Sequence, residues 1–156
     1  RIYLPAIPKR TPEVLEQEKP DIEKEKEIKP ASVFSGTVLV VDDEPTVLNM
    51  VASLVKHLGF NVLTASDGVE ALKIYRAQAN TVTCVLLDVI MPRMDGITTL
   101  KKLKELNPDV KVILTSGYSP EDIKERFSSK ELEPVFLRKP YGLAKLSEAF
   151  KKTLDN

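Results

Sequence analysis

From Thr37 onward, short apolar runs alternate with longer stretches in which apolar residues recur at helical spacing. The runs predict strands at Thr37–Val41, Asn61–Ala65, Thr83–Asp88, Lys111–Thr115 and Pro134–Leu137. Between the first two, Val47, Leu48, Val51, Leu54, Val55 and Leu58 line one side of a helix, as do Ile97, Leu100, Leu103 and Leu106 farther on. Weaker patterns predict helices at Val69–Ala79, Pro120–Phe127 and Leu143–Leu154. Boundary chemistry agrees. Pro45 suits a first helical turn and Gly59 a left-handed exit, while Asp67 and Ser119 are good N-caps with Glu70 and Asp122 three residues later. Five βα units without an internal repeat imply a parallel sheet covered on both faces. Right-handed crossovers then favour a doubly wound α/β fold with strand order 2-1-3-4-5.

Upstream of Gly36 this pattern stops. Residues 1–35 contain Pro5, Pro8, Pro12, Pro20 and Pro30, no glycine, and a mixed-charge run Glu16–Lys29 whose only large apolar residues are Ile22 and Ile28. Such a segment buries too little apolar surface to offset its ordering entropy and reads as an extended linker. A short solvated helix around Glu13–Lys29, interrupted at Pro20, is the alternative. Ile2-Tyr3-Leu4-Pro5 is a strand-like fragment with no partner nearby, as expected for the last edge of an upstream unit. The chain therefore divides into 1–8, a linker at 9–36, and a domain at 37–156.

Composition narrows the function. The 156 residues carry 23 Lys+Arg and 23 Asp+Glu, so no net charge marks a footprint for nucleic acid or an anionic membrane surface. There is no apolar stretch of spanning length and no signal-peptide pattern, so a cytoplasmic location without direct membrane contact is expected, although a parent chain can still be membrane-anchored. The single Cys84 lies inside a strand run and reads as a buried structural residue.

The strands carry chemistry at their ends: Asp42 and Asp43 after the first, Asp88 at the end of the third, Ser116 after the fourth and Lys139 after the fifth. In a parallel sheet these ends converge on one edge, where open α/β folds place their ligand. With the first and third strands adjacent, the three carboxylates fall close together. Two like charges at about 4 Å repel by roughly 4 kcal/mol at a surface dielectric. A hard divalent cation relieves that repulsion, and an oxygen-only donor set suits Mg²⁺. Asp43 and Glu44 also suit a helix N-terminus, Ser116-Gly117 also suits a plain turn, and Asp95-Gly96 reads as turn and helix-start chemistry. His57, at a helix C-terminus without an acidic neighbour, reads as structural.

Val40-Val41-Asp42-Asp43-Glu44, Met91-Pro92-Arg93-Met94-Asp95-Gly96, Thr115-Ser116-Gly117-Tyr118 and Arg138-Lys139-Pro140 together resemble the receiver domain of two-component response regulators. The resemblance covers about residues 37–154, and its four motifs stand in the family's order. It implies a flavodoxin-like (βα)5 fold and a cis Lys139–Pro140 bond. Asp88 would accept a phosphoryl group from a phosphohistidine. Asp43 and Asp88 would hold Mg²⁺ directly, Asp42 through water, with the Ile90 carbonyl completing the protein ligands. Lys139 would pair with the phosphoryl group and Ser116 would donate its hydroxyl to it. Phe136 would rotate inward as Ser116 moves, changing a partner surface built from Ser119–Ser128, the last strand and the last helix. Ile90 offers no side chain to orient water and Tyr118 is placed to shield the acyl phosphate, so slow self-dephosphorylation is expected.

Partners implied are a histidine kinase or a histidine phosphotransfer domain, with room for a dimer through the last helices. Arg1–Pro5 resembles the closing strand of a histidine-kinase ATP-binding domain, which points to the C-terminal receiver of a hybrid sensor kinase. The chain has no ATP-binding motif and no DNA-binding output domain, so it is expected to promote only its own phosphorylation. A haloacid-dehalogenase-like phosphatase is the main rival, but it needs a second Asp where Ile90 stands. A flavodoxin would meet its phosphate with Asp42-Asp43-Glu44, and an unphosphorylated scaffold would have no need of an intact acidic site.

Overall fold

The computed structural model describes residues 34–126 and 134–155. The expected upstream strand and linker therefore lie outside the described residues, apart from the linker's last three positions. Five strands, β1 (Thr37–Val41), β2 (Asn61–Ala65), β3 (Val82–Asp88), β4 (Val112–Ser116) and β5 (Val135–Arg138), alternate with five helices. These are α1 (Pro45–His57), α2 (Gly68–Gln78), α3 (Gly96–Leu106), α4 (Pro120–Lys124) and α5 (Leu143–Leu154). All strand pairs are parallel, in the order β2-β1-β3-β4-β5 expected from the sequence.

The sheet is buried on both faces. Leu39, Val41, Val85, Leu87, Val112 and Leu114 point to one side, against Leu72 and Tyr75 of α2 and Leu100 and Leu103 of α3. Val38, Val40, Cys84, Leu86 and Ile113 point to the other, against Val51 and Val55 of α1 and Leu146 and Phe150 of α5. This is the period-two division of a strand between two covered faces. Cys84 is fully buried, and that burial pushes its thiol pKa up to about 12, which makes it inert.

Local signals hold at most boundaries. Pro45 opens α1, Gly59 leaves it at φ 113°, and Asp67 accepts the Glu70 N–H at 2.8 Å. Glu70 reaches back to the Ser66 N–H at 2.7 Å, and Asp95 caps α3 through the Thr98 N–H at 2.7 Å. Three strands differ from expectation by one residue: β3 begins one earlier, at Val82, and β4 and β5 each begin and end one later. Ser116 and Arg138 face each other in the β4–β5 ladder, so each strand runs one residue further than its apolar run. Helix α4 ends at Lys124, with Glu125 as its C-cap and Arg126 in a turn, so it is shorter than the predicted helix, whose Phe127 lies outside the described residues.

Phe34 belongs to the domain although it precedes the first strand. Its ring stacks on Phe60 at 5.1 Å between centroids and lies 6.0 Å from Phe150, and its N–H donates to the Leu58 carbonyl at 3.2 Å. The packed unit therefore starts before residue 37. No helix among the described residues is long and apolar enough to cross a membrane.

Candidate functional site

Strand register assembles the site. Val41 pairs with Leu87, so the next residues, Asp42 and Asp88, emerge side by side at the C-terminal edge. Asp42 is held there by its N–H to the Ala65 carbonyl at 3.2 Å, and Val89 by its N–H to the Thr115 carbonyl at 2.9 Å. On the other side, the Lys139 N–H donates to the Ser116 carbonyl at 2.8 Å, just past the ladder. The Lys139–Pro140 bond is cis, as the resemblance implied.

Asp42, Asp43 and Asp88 each offer a carboxylate oxygen, and these lie within 4.8 Å of one another. The oxygen-only donor set suits Mg²⁺ in chemistry, and its 4.8 Å spread is slightly wider than the roughly 4.2 Å between opposite ligands of an octahedral ion, so direct ligation by all three would require the side chains to close in. Lys139 bridges two of the three, with Nζ 2.7 Å from Asp42 Oδ2 and 3.4 Å from Asp88 Oδ1. Asp42 Oδ1 accepts the Glu44 N–H at 3.0 Å. Both Asp42 oxygens are thus engaged within the protein, while Asp43 is more open to solvent.

The charges perturb one another. Asp88 is 6% exposed, and burial first, then the Asp42 and Asp43 charges, push its carboxyl up to about 6 against the pull of Lys139. Burial disfavours the Lys139 ammonium, but its hydrogen bond to Asp42 and the charges of Asp88 and Asp42 outweigh that and raise its pKa. Tyr141 is also raised, by burial and then by the Asp42 and Asp88 charges. Three carboxylates facing one ammonium leave an excess of negative charge that a cation would neutralise.

The remaining residues fall around this centre. Ser116 is buried, and its Oγ accepts the Tyr118 N–H at 3.1 Å, which leaves the hydroxyl proton free to be donated. Ile90 and Tyr118 show their side chains to solvent, at 45% and 58% exposed. Phe136 sits on β5 opposite Leu114, half-buried against the α2–α3 side of the core. His57 ends α1, away from these groups in the chain, and takes no part in the acidic cluster.

Two features were not anticipated from sequence. Tyr141 feels the acidic pair although it was not singled out; its position just after Lys139-Pro140 was the available signal. Arg93, the only non-glycine residue with positive φ among the described residues, lies 3.1 Å from Asp67, which sequence had marked only as a cap.

Residues 38–151 match the family model described as the response regulator receiver domain. The chain is 36% identical over 157 aligned positions to sensor kinase CckA of Brucella abortus, an alignment covering 99% of this chain and 16% of the kinase. The chain thus spans about a sixth of the length of that relative. The crystal structure of the receiver domain from hybrid histidine kinase CckA superposes with a TM-score of 0.63 at 36% identity, covering 76% of this chain and 99% of that one. Response regulator TrrA of Thermotoga maritima, solved with Mg²⁺ and BeF, superposes with a TM-score of 0.68 at 29% identity over 76% of this chain and 99% of its own. A five-stranded parallel sheet in this order, with an acidic cluster at its C-terminal edge, defines the class, and the chain belongs to the response regulator receiver family.

Proposed function

We propose that this domain accepts a phosphoryl group from a phosphohistidine onto Asp88 and uses it to switch a protein-binding surface. The observation that carries the reading is the convergence of Asp42, Asp43 and Asp88 within 4.8 Å, with Lys139, just after the last strand, bridging Asp42 and Asp88. An Asp88 carboxylate oxygen forms a bond to phosphorus as the bond to the imidazole nitrogen breaks, and the imidazole leaves with its electron pair. Lys139 is already within 3.4 Å of Asp88 and offers its ammonium to the incoming phosphoryl oxygens. Ser116 donates its hydroxyl to another of them. Asp43 and Asp88, with the Ile90 carbonyl, would hold Mg²⁺ directly, and Asp42, whose oxygens are engaged by the Glu44 N–H and Lys139, would reach it through water. When bound, the ion supplies positive charge against the transferred group.

The switch runs through Ser116 and Phe136. As Ser116 turns to the phosphoryl group it gives up the Tyr118 N–H, and Phe136 moves into the space released, biasing the surface of α4, β5 and α5. Phe127 and Ser128 of the expected partner surface lie outside the described residues. The parent chain is read as a hybrid histidine kinase, with residues 1–8 closing its ATP-binding domain, 9–36 linking, and 37–156 receiving. The donor is then a kinase or phosphotransfer histidine, and the location is cytoplasmic.

Acetyl phosphate with Mg²⁺ should give one phosphoryl adduct by intact mass spectrometry, lost on chelation and in Asp88→Ala. An adduct that survives in Asp88→Ala refutes the assignment. Full phosphorylation-dependent partner binding by Phe136→Ala would refute the switch alone.

A further inference from the structure

The loop between β3 and α3, residues 89–95, carries Ile90 and runs from Asp88 to the α3 cap. Its base is closed by the Gly96 N–H donating to the Val89 carbonyl at 2.8 Å. At its crest the Met94 N–H donates to the Pro92 carbonyl at 2.7 Å, making a three-residue turn around Arg93 at φ 68°. A positive φ at the centre of such a turn is its strained form, and a side-chain-bearing residue stays there only where its surroundings hold it. Two contacts do so. The Arg93 guanidinium lies 3.1 Å from Asp67 Oδ2, while the other oxygen of that buried carboxylate caps α2. Beside it, Met94 lies against Gly68, where an added Cβ would stand 3.2 Å from the Met94 side chain. Both grips tie the crest of this loop to the β2–α2 junction.

We infer that Arg93 is a positioning residue: paired with Asp67, it holds the β3–α3 loop so that the Ile90 carbonyl faces the carboxylates of Asp43 and Asp88. This deepens the proposed function and rests on its reading of Ile90 as a metal ligand. Arg93 itself touches neither ion nor phosphoryl group. Its sign of action separates the idea from simple electrostatics. Removing a nearby cation by charge alone tightens binding of Mg²⁺, whereas releasing a ligand-bearing loop weakens it.

The test is Mg²⁺ titration calorimetry on the full chain, with urea unfolding in parallel. Arg93→Gly removes the clamp but relieves the backbone, so affinity falls on the order of tenfold while metal-free stability is kept or raised. Arg93→Lys, which can make the same single contact to Asp67, restores most of the affinity. In an Asp67→Asn background, where the cap survives without its charge, Arg93→Gly has no further effect on Mg²⁺. Amide exchange at Ile90 and Met91 speeds up in Arg93→Gly. Unchanged or tighter Mg²⁺ binding by Arg93→Gly overturns the clamp and leaves the metal site standing. A parent chain that takes up no Mg²⁺ overturns both.

Discussion

Asp88 should make the metal-free domain less stable than a neutral residue in its place. Its carboxyl sits at about 6 instead of the ordinary 3.8, because burial and two neighbouring carboxylates disfavour the charge more than Lys139 favours it. At about 1.4 kcal/mol per pKa unit the ionised form opposes folding by about 3 kcal/mol. The folded-state value lies above the unfolded one, so this penalty is full above pH 6, shrinks as pH falls, and is gone below 3.8. Asp88→Asn keeps the shape and removes the charge, and Lys139 retains Asp42 at 2.7 Å. In chelator near neutral pH, the variant should unfold at higher urea, with a gain of about 2–3 kcal/mol and a melting point raised on the order of 10 °C. The gain should shrink toward zero as the pH approaches about 4. Mg²⁺ should stabilise the parent more than the variant, since it neutralises the same charge. Equal or lower stability of Asp88→Asn in chelator at neutral pH refutes the reasoning.

Lys139→Met leaves Asp42 and Asp88 without their cation and should lower metal-free stability by about 2–4 kcal/mol in urea unfolding, with part of the loss recovered on adding Mg²⁺. Gly96→Ala places a Cβ against the Asp88 carbonyl oxygen and 2.7 Å from Val89 Cα, so α3 must shift. A loss of about 1–3 kcal/mol together with weaker Mg²⁺ binding is expected, and an unchanged melting curve contradicts it. Phe34→Ala removes the ring stacked on Phe60 beside Phe150 and should lower the melting point by about 2 kcal/mol worth of stability, whereas a domain beginning at residue 37 would not respond. Ile90→Asn and Tyr118→Ala should each shorten the phosphoryl lifetime, the first by orienting water and the second by unshielding the acyl phosphate; no acceleration in either removes the proposed basis for a long-lived signal.

The sheet was legible because its signals are local. Each apolar run in β1 and β2 coincides with a strand, and the caps at Asp67, Asp95 and Ser119 bond within a few residues of themselves. The right-handed crossover rule then carried those elements to the observed order without any contact being known. The ends of β4 and β5 lie one residue beyond their apolar runs because Ser116 pairs with Arg138, which is not a property of either segment alone. Phe34 reads as linker from sequence for the same reason, since its two ring partners are remote in the chain.

The sequence alone determined which residues could serve: three carboxylates, a hydroxyl and a lysine at the ends of strands whose positions follow from periodicity. Only the tertiary structure decided how they share their charges. Lys139 meets Asp42, 97 positions earlier in the chain, at 2.7 Å and Asp88 at the longer 3.4 Å. The Asp88 carboxyl rises to about 6, and Arg93 is bent back onto Asp67. Those outcomes depend on burial and on register between distant segments, because desolvation and charge act through space and are not encoded in any one stretch of chain.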